Sequence, residues 1–522
     1  MKLLNSKHLL TVVFSLILSV SFAQDYDLSG VDRFRMRNAG SIISNRVIKG
    51  YYFFYESSKH AKGKRNYTIV ILDENLKELT SQKMIESDKV YLVEASYNNT
   101  SILLKFFDLK QKKVMYRSVN NEGELSDKST RVANKYEVSS YQQSYATDVS
   151  NLTLNPFGTN MFLDYYIFKG GKGYTFKLDA VDSKGEKLWT YAPAHTGGID
   201  AATYMAADND QALFLVYRTE KTMSRDYKFS VLSIDASGKK RFQIKMESPK
   251  HNLMPHHAYI DKDAGTIMIV GEYYDSKDKS FKAASKGIFI KMLSLDGEEL
   301  SQKFLSWEKK IYAKLSEDER SDAAKYYMYF HQIIKTADGK IIAVAEQYRK
   351  QVSATGVAMK VAASALGGTT NASALEIKIG DLAIIVIDTA LKVDEVKIID
   401  KHSNHIVLPQ GYEYVSQHLL ARIIKSEGGF DYYFTQADSA NSKVTFGYID
   451  REKVEGKNGR KDVFNAVNYA SEGDGKFTSD KIILSTNAYE MDVMPAKPGF
   501  ILIYEYFRKD KKVSIRLEPI NF

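Results

Sequence analysis

The feature that most constrains this chain is a hairpin-rich unit that recurs along almost its whole length. Each copy reads as a short alternating strand, a turn often containing Gly, a strongly apolar strand, a polar loop, another alternating strand and a tight Asp/Gly turn. The apolar second strands align best: Gly50–Tyr55, Ser101–Phe106, Met161–Tyr166, Ala212–Tyr217, Thr266–Val270, Lys340–Val344, Phe430–Phe434 and Phe500–Tyr504. Third strands follow in register, as in Tyr67–Leu72, Tyr174–Val181, Tyr227–Ile234, Gly287–Leu295 and Leu382–Ile387. Turns such as Asp182–Gly185, Asp235–Gly238, Asp296–Gly297 and the variant Asn120–Gly123 close them. There the Asp or Asn side chain bonds turn amides while Gly takes a positive φ, so a calcium-loop reading adds nothing the hairpin does not already need.

A unit with one strongly apolar strand cannot bury that strand alone. Stacked neighbours supply the missing burial and radial closure removes exposed edges, which predicts an all-β fold, a β-propeller of eight four-stranded blades. Seven blades with one irregular unit, or two packed β domains, are the alternatives. The predicted organisation is a leader at 1–23 and one propeller domain over 24–522, with insertions at about 308–327, 351–374 and 455–481. The last unit ends just after its third strand, Val513–Leu517, so a fourth must come from elsewhere; the alternating segment Arg33–Arg37 is the candidate that closes the ring.

The first 23 residues have the form of a secretory signal: Lys2 and Lys7, an apolar run from Leu9 to Val20, then Ser21, Phe22 and Ala23 as a small-residue cleavage site. The apolar run is too short to span a bilayer as a helix. The chain has no cysteine, which excludes disulfides, thiolate metal sites and cysteine nucleophiles. A large cysteine-free exported protein fits the periplasm or cell surface of a Gram-negative bacterium. The formal charge of +9 becomes +7 without Lys2 and Lys7, and its basic and acidic residues are interspersed, so no nucleic-acid partner is expected. Arg33, Arg35 and Arg37 read as the wet face of a strand whose other face holds Phe34 and Met36.

The stretches Ile48–Tyr55 and Ile69–Leu76 resemble uncharacterised secreted proteins of Bacteroidetes that carry the same whole-length hairpin series. That resemblance implies compartment and fold, and no activity or site residue.

Units five and six superpose without gaps from His257 to Tyr274 and from His331 to Tyr348. His257 then matches His331, Glu272 matches Glu346 and Tyr274 matches Tyr348, placing these six candidate binding residues on one face of adjacent blades. Paired carboxylates there would suit acid/base work, although Glu56 and Glu505 at corresponding strand ends point to a repeat feature that bonds backbone. The small-residue loop 351–374, with a helical portion from Ala358 to Leu366, falls on the same face. The connector 308–327 is also helical, Ser316 to Glu319 forming a capping box. Asp400, His402 and His405 are weak metal candidates, and the 35 tyrosines fit strands as readily as a glycan surface. No nucleophile elbow, zincin motif, Walker loop or dinucleotide fingerprint is present, and no cofactor is implied. The expected function is a non-catalytic binding or scaffold protein holding an envelope protein or glycan. The alternative is a propeller hydrolase or lyase acting on a glycan.

Overall fold

The computed structural model describes residues 24–521 apart from 45–46, 148–152, 196, 223, 225, 366–371, 410–411, 413–414, 454–459 and 472–476. The leader expected at 1–23 lies outside the described residues. Among the described residues the fold is all-β, antiparallel and serial, each unit forming a meander whose strands pair in chain order. Five sheets have four strands, one has five, and one has eight because units three and four are joined by a single bridge, Tyr174 to Ile199. No helix among the described residues is long and apolar enough to cross a membrane.

The second strands are where burial concentrates. Every residue of Ser101–Asp108 is buried, and Ile341–Tyr348 is buried throughout. Such strands need apolar neighbours on both faces, and they find them in the adjacent units. Phe54, Tyr67 and Ile69 of unit one pack on Leu104 and Phe106 of unit two. Met268, Ile288 and Ile290 of unit five pack on Ala343, Ala383 and Ile385 of unit six. Phe53 and Tyr55 of unit one share a core with Leu502, Tyr504 and Ile515 of unit eight. At about 1.5–3 kcal/mol for each fully buried large apolar side chain, these cores between units are the main source of stability.

The strand that completes unit eight differs from the expected one. Asp25–Ser29 pairs with Lys512–Arg516, whereas Arg33 makes only an isolated bridge to Glu56 and Met36–Asn38 is a short 3-10 turn. Of the three arginines only Arg33 is exposed. The Arg35 guanidinium lies 4.2 Å over the Tyr145 ring and Arg37 donates to Ser144 Oγ at 3.1 Å, so these two tie the segment to helix α1 (Lys135–Thr147). Sequence alternation here records a turn, with Phe34 buried against Phe53, Tyr504 and Tyr506.

The connector after unit five is helical as expected: α2 (Glu317–Ala323) starts in a capping box between Ser316 and Glu319. In unit six the second strand reaches Val352, α3 (Ala354–Ala365) follows, and the third strand runs Ala372–Ile387 with α3 packed on it. The segment 455–481, expected as a polar insertion, contains the third strand of unit seven, Arg460–Ala470, and the start of the fourth, Phe477–Leu484. Its charged beginning masked a buried core that includes Val463, Phe464, Ala466 and Val467. A further helix, α4 (Gln417–Ser426), precedes unit seven and buries Leu420, Ala421 and Ile424 against Tyr348, Ile377 and Ile379.

Candidate functional site

Units five and six carry the same local device. The first strand of unit five, His251–Asp261, bulges at His256, with Pro255 opposite Gly271 and His257 opposite Val270. In unit six Tyr327–Lys335 bulges at His331, with Phe330 opposite Ala345 and Gln332 opposite Val344. A bulge redirects the extra side chain, and here each imidazole meets a carboxylate of the second strand. His256 Nε2 lies 2.9 Å from Glu272, and His331 Nε2 lies 3.0 Å from Glu346. The equivalent of His331 is therefore His256, one residue away from the expected His257. Unit six closes its hairpin sooner, Thr336 bonding Lys340 where Asp261 pairs with Thr266, and a gapless match carries that difference into the first strand.

Glu346 is fully buried and its oxygens are occupied. One accepts from Lys401 Nζ at 2.9 Å and the Asp431 N–H at 3.2 Å, the other from His331 and the Tyr432 N–H at 3.2 Å. Burial alone would raise its pKa; the His331 hydrogen bond and the Lys401 ammonium overcome this and hold it at about 2. His331 is pushed down to about 4 by burial against the opposing pull of Glu346, so near neutrality it donates its Nε2–H as a neutral ring. Glu272 is similarly engaged, accepting from His256, from Ser285 Oγ at 2.5 Å and from the Tyr274 hydroxyl at 3.3 Å. Tyr274 and Tyr348 are both fully buried and converge on His418 of α4, their hydroxyls 3.2 and 3.3 Å from its Nδ1. Four of the six expected residues, Glu272, Tyr274, Glu346 and Tyr348, thus lie behind the surface and orient other groups.

His257 is half-buried and the His331 side chain is closed off from solvent. With His256 they line a cavity of about 1120 Å³. One wall is tyrosine- and hydroxyl-rich: Tyr136, Ser140 and Tyr141 of α1, Thr153, Tyr165 and Tyr166 of unit three, and Thr203 and Tyr204 of unit four. The other is basic: the three histidines, with Arg422 and Lys425 of α4. His257 is held neutral, burial and the neighbouring His256 pushing it to about 3. Met205 and His257 also line a second cavity of about 350 Å³, so these two side chains stand at the neck between the two spaces. Glu137 belongs to a network rather than to the opening. Arg131 bonds both its oxygens and also Asp164, which pairs with fully buried Lys105 at 2.5 Å.

Asp400, His402 and His405 do not assemble a metal site. His405 Nδ1 bonds Glu376 at 2.7 Å and the His402 N–H bonds Asp450, and no group of three potential ligands occurs among the described residues. No described residue of 351–374 is among those lining the large cavity. Its helices are α1 and α4 instead. For α4 the signal was present, since Leu420, Ala421 and Ile424 recur at helical spacing with Arg422 and Lys425 on the other side. For α1, which mixes Tyr, Ser and Gln, no such stripe exists.

The model of a family of unknown function, DUF6770, matches residues 4–521. No curated protein matches the chain. Among solved structures, the WD40 domain of SCAP from fission yeast is similar at TM-score 0.36 and 8% identity, covering 94% of each chain. Prolyl oligopeptidase B from Galerina marginata reaches TM-score 0.38 at 9% identity, over 89% of this chain and 56% of that one. A Synechocystis apocarotenoid oxygenase reaches 0.34 at 12%, over 94% and 89%. At such values none of them assigns a function here.

Proposed function

We propose that this chain, which belongs to the DUF6770 family of unknown function, is an exported propeller that binds a ligand in its large cavity without transforming it. The proposed architecture is eight four-stranded blades in one domain, closed by Asp25–Ser29. It is supported by pairing in chain order and by apolar cores that join each unit to the next and unit eight to unit one. The proposed site of action is the periplasm or cell surface, resting on the leader-like first 23 residues.

The observation that carries the binding reading is the contrast between the open cavity and its engaged carboxylates. A general acid or base must reach the substrate proton, whereas Glu272 and Glu346 are buried and saturated by donors that already hold them. The rings they orient line the cavity with little or no exposed surface of their own, and the accessible lining is supplied by residues such as Thr203. A hydrolase or lyase acting on a glycan would need a pair of accessible carboxylates at that wall, where Glu427 is the single exposed one among the described lining residues.

The test pairs calorimetry with product analysis on the purified protein, using a panel of neutral and acidic sugars. Binding without new products is expected, and Thr203→Trp, which fills the cavity from an exposed position, should abolish it with an unchanged melting temperature. Release of a cleaved sugar that disappears in Glu272→Gln would replace this reading with the enzymatic one.

A further inference from the structure

Two cations on the cavity wall lack the partners that the other buried charges have. Arg422 is half-buried, lines the cavity and has no hydrogen bond or ion pair among the described residues. Lys425, one turn along α4, bonds only the Tyr432 carbonyl at 3.2 Å and lies 5.0 Å over the Tyr432 ring. It has no carboxylate within ion-pair distance, and burial, only partly offset by Glu346, pushes it down to about 8. Elsewhere the fold pairs such groups closely: Lys105 with Asp164, Lys401 with Glu346, Arg131 with Glu137. A guanidinium left unmatched in a recess is a ready donor of two parallel hydrogen bonds to an oxyanion.

The nearby acidic groups do not cancel this charge. Glu137 is consumed by Arg131, Glu346 by Lys401 and Glu272 by His256. Glu427 also lines the cavity, but it is exposed and paired with neither cation. The carboxyl end of α4 disfavours an anion, but by less than one hydrogen bond to a charged group contributes. The facing wall of tyrosines and hydroxyls suits the flat face and polar edge of a ring.

We propose that Arg422 and Lys425 form an oxyanion subsite, which takes the carboxylate or phosphate of a ring-bearing ligand whose body lies against Tyr136, Tyr166 and Tyr204. This rests on the reading of the cavity as the ligand site and adds the chemical class. The neutral His257 and His331 frame the subsite without adding charge that would bind any anion indiscriminately.

Calorimetry with glucuronate, glucose 1-phosphate and glucose tests it and separates the two anion sources. At least one anion should bind about tenfold or more tighter than glucose, weaken as salt rises, and lose that advantage in Arg422→Gln and Lys425→Met. Because Arg422 has no hydrogen-bond or ion-pair partner among the described residues, Arg422→Gln should melt with the parent protein, so lost binding would not reflect unfolding. Glucose binding equally well, or anion affinity indifferent to Arg422→Gln, overturns the subsite while leaving the cavity reading in place. No binding of any of the three overturns the subsite as well.

Discussion

Glu346 shows how single residues here serve the site from behind. Its ionised form balances Lys401, which also pairs with Asp431, so Glu346→Gln should destabilise the protein by about 1.5–3 kcal/mol near neutral pH by removing one of the two carboxylates that hold that ammonium. The pH dependence has a definite sign. A carboxylate held at about 2 when folded, against an ordinary value near 4.3, contributes stability that is complete above about pH 4.5 and fades as pH falls toward 2. The gap between parent and variant in urea melts should therefore be wide at pH 7 and narrow by more than half at pH 3. A gap of constant width would remove the ion pair from the account. This layer was half legible: residue types and repeat positions named Glu272, Glu346, Tyr274 and Tyr348, but alternation alone cannot show a bulge. His256 was missed for that reason, and Arg422 and Lys425 were missed because helical spacing shows a polar side to α4 but not the cavity which that side lines.

At the scale of elements, the Asp-x-x-Gly turns join units as well as ending hairpins. Asp235 Oδ1 accepts the backbone N–H groups of Ser237 and Lys239, leaving Gly238 at φ 83°. A Cβ there would sit 2.7 Å from the Trp189 ring of the preceding unit, whose indole N–H bonds the Ala236 carbonyl. Gly297 stands likewise against Phe242 of its preceding unit. Gly238→Ala should thus combine left-handed strain with a clash against an outer strand and cost about 2 kcal/mol or more. Gly63→Ala has the same strain with open space around it, and is the control that isolates the contact. Equal losses in the two variants, measured by thermal melts, would mean that the turn does not act between units. The sequence showed these turns as hairpin signals because Asp and Gly fall within one tight turn. Their second role depends on which outer strand lies alongside, and no local pattern records that.

The whole molecule turns on whether its two ends meet. Serial meanders were readable from apolar second strands, whereas the strand borrowed by unit eight was misassigned, since Asp25–Ser29 carries a single buried residue, Leu28, and looks like a polar tail. Its hold comes from five backbone partners on Lys512–Arg516 and from the core that Leu28 and Phe34 share with units one and eight. In an open array units one and eight would be opposite ends, and losing residues 24–30 would loosen unit eight alone. In the proposed ring they are neighbours: Ser41 Oγ bonds the Pro495 carbonyl across the junction, and loosening one withdraws apolar cover from the other. Deletion of 24–30 should then lower stability by about 3 kcal/mol, expose an unpaired edge prone to association, and speed amide exchange in both Val47–Ala61 and Phe500–Phe507. Faster exchange confined to Phe500–Phe507 would leave the units in an open row, and the smaller cavity, which Ile43 and Ile48 of unit one line together with Pro495 and Ala496 of unit eight, would lose a wall.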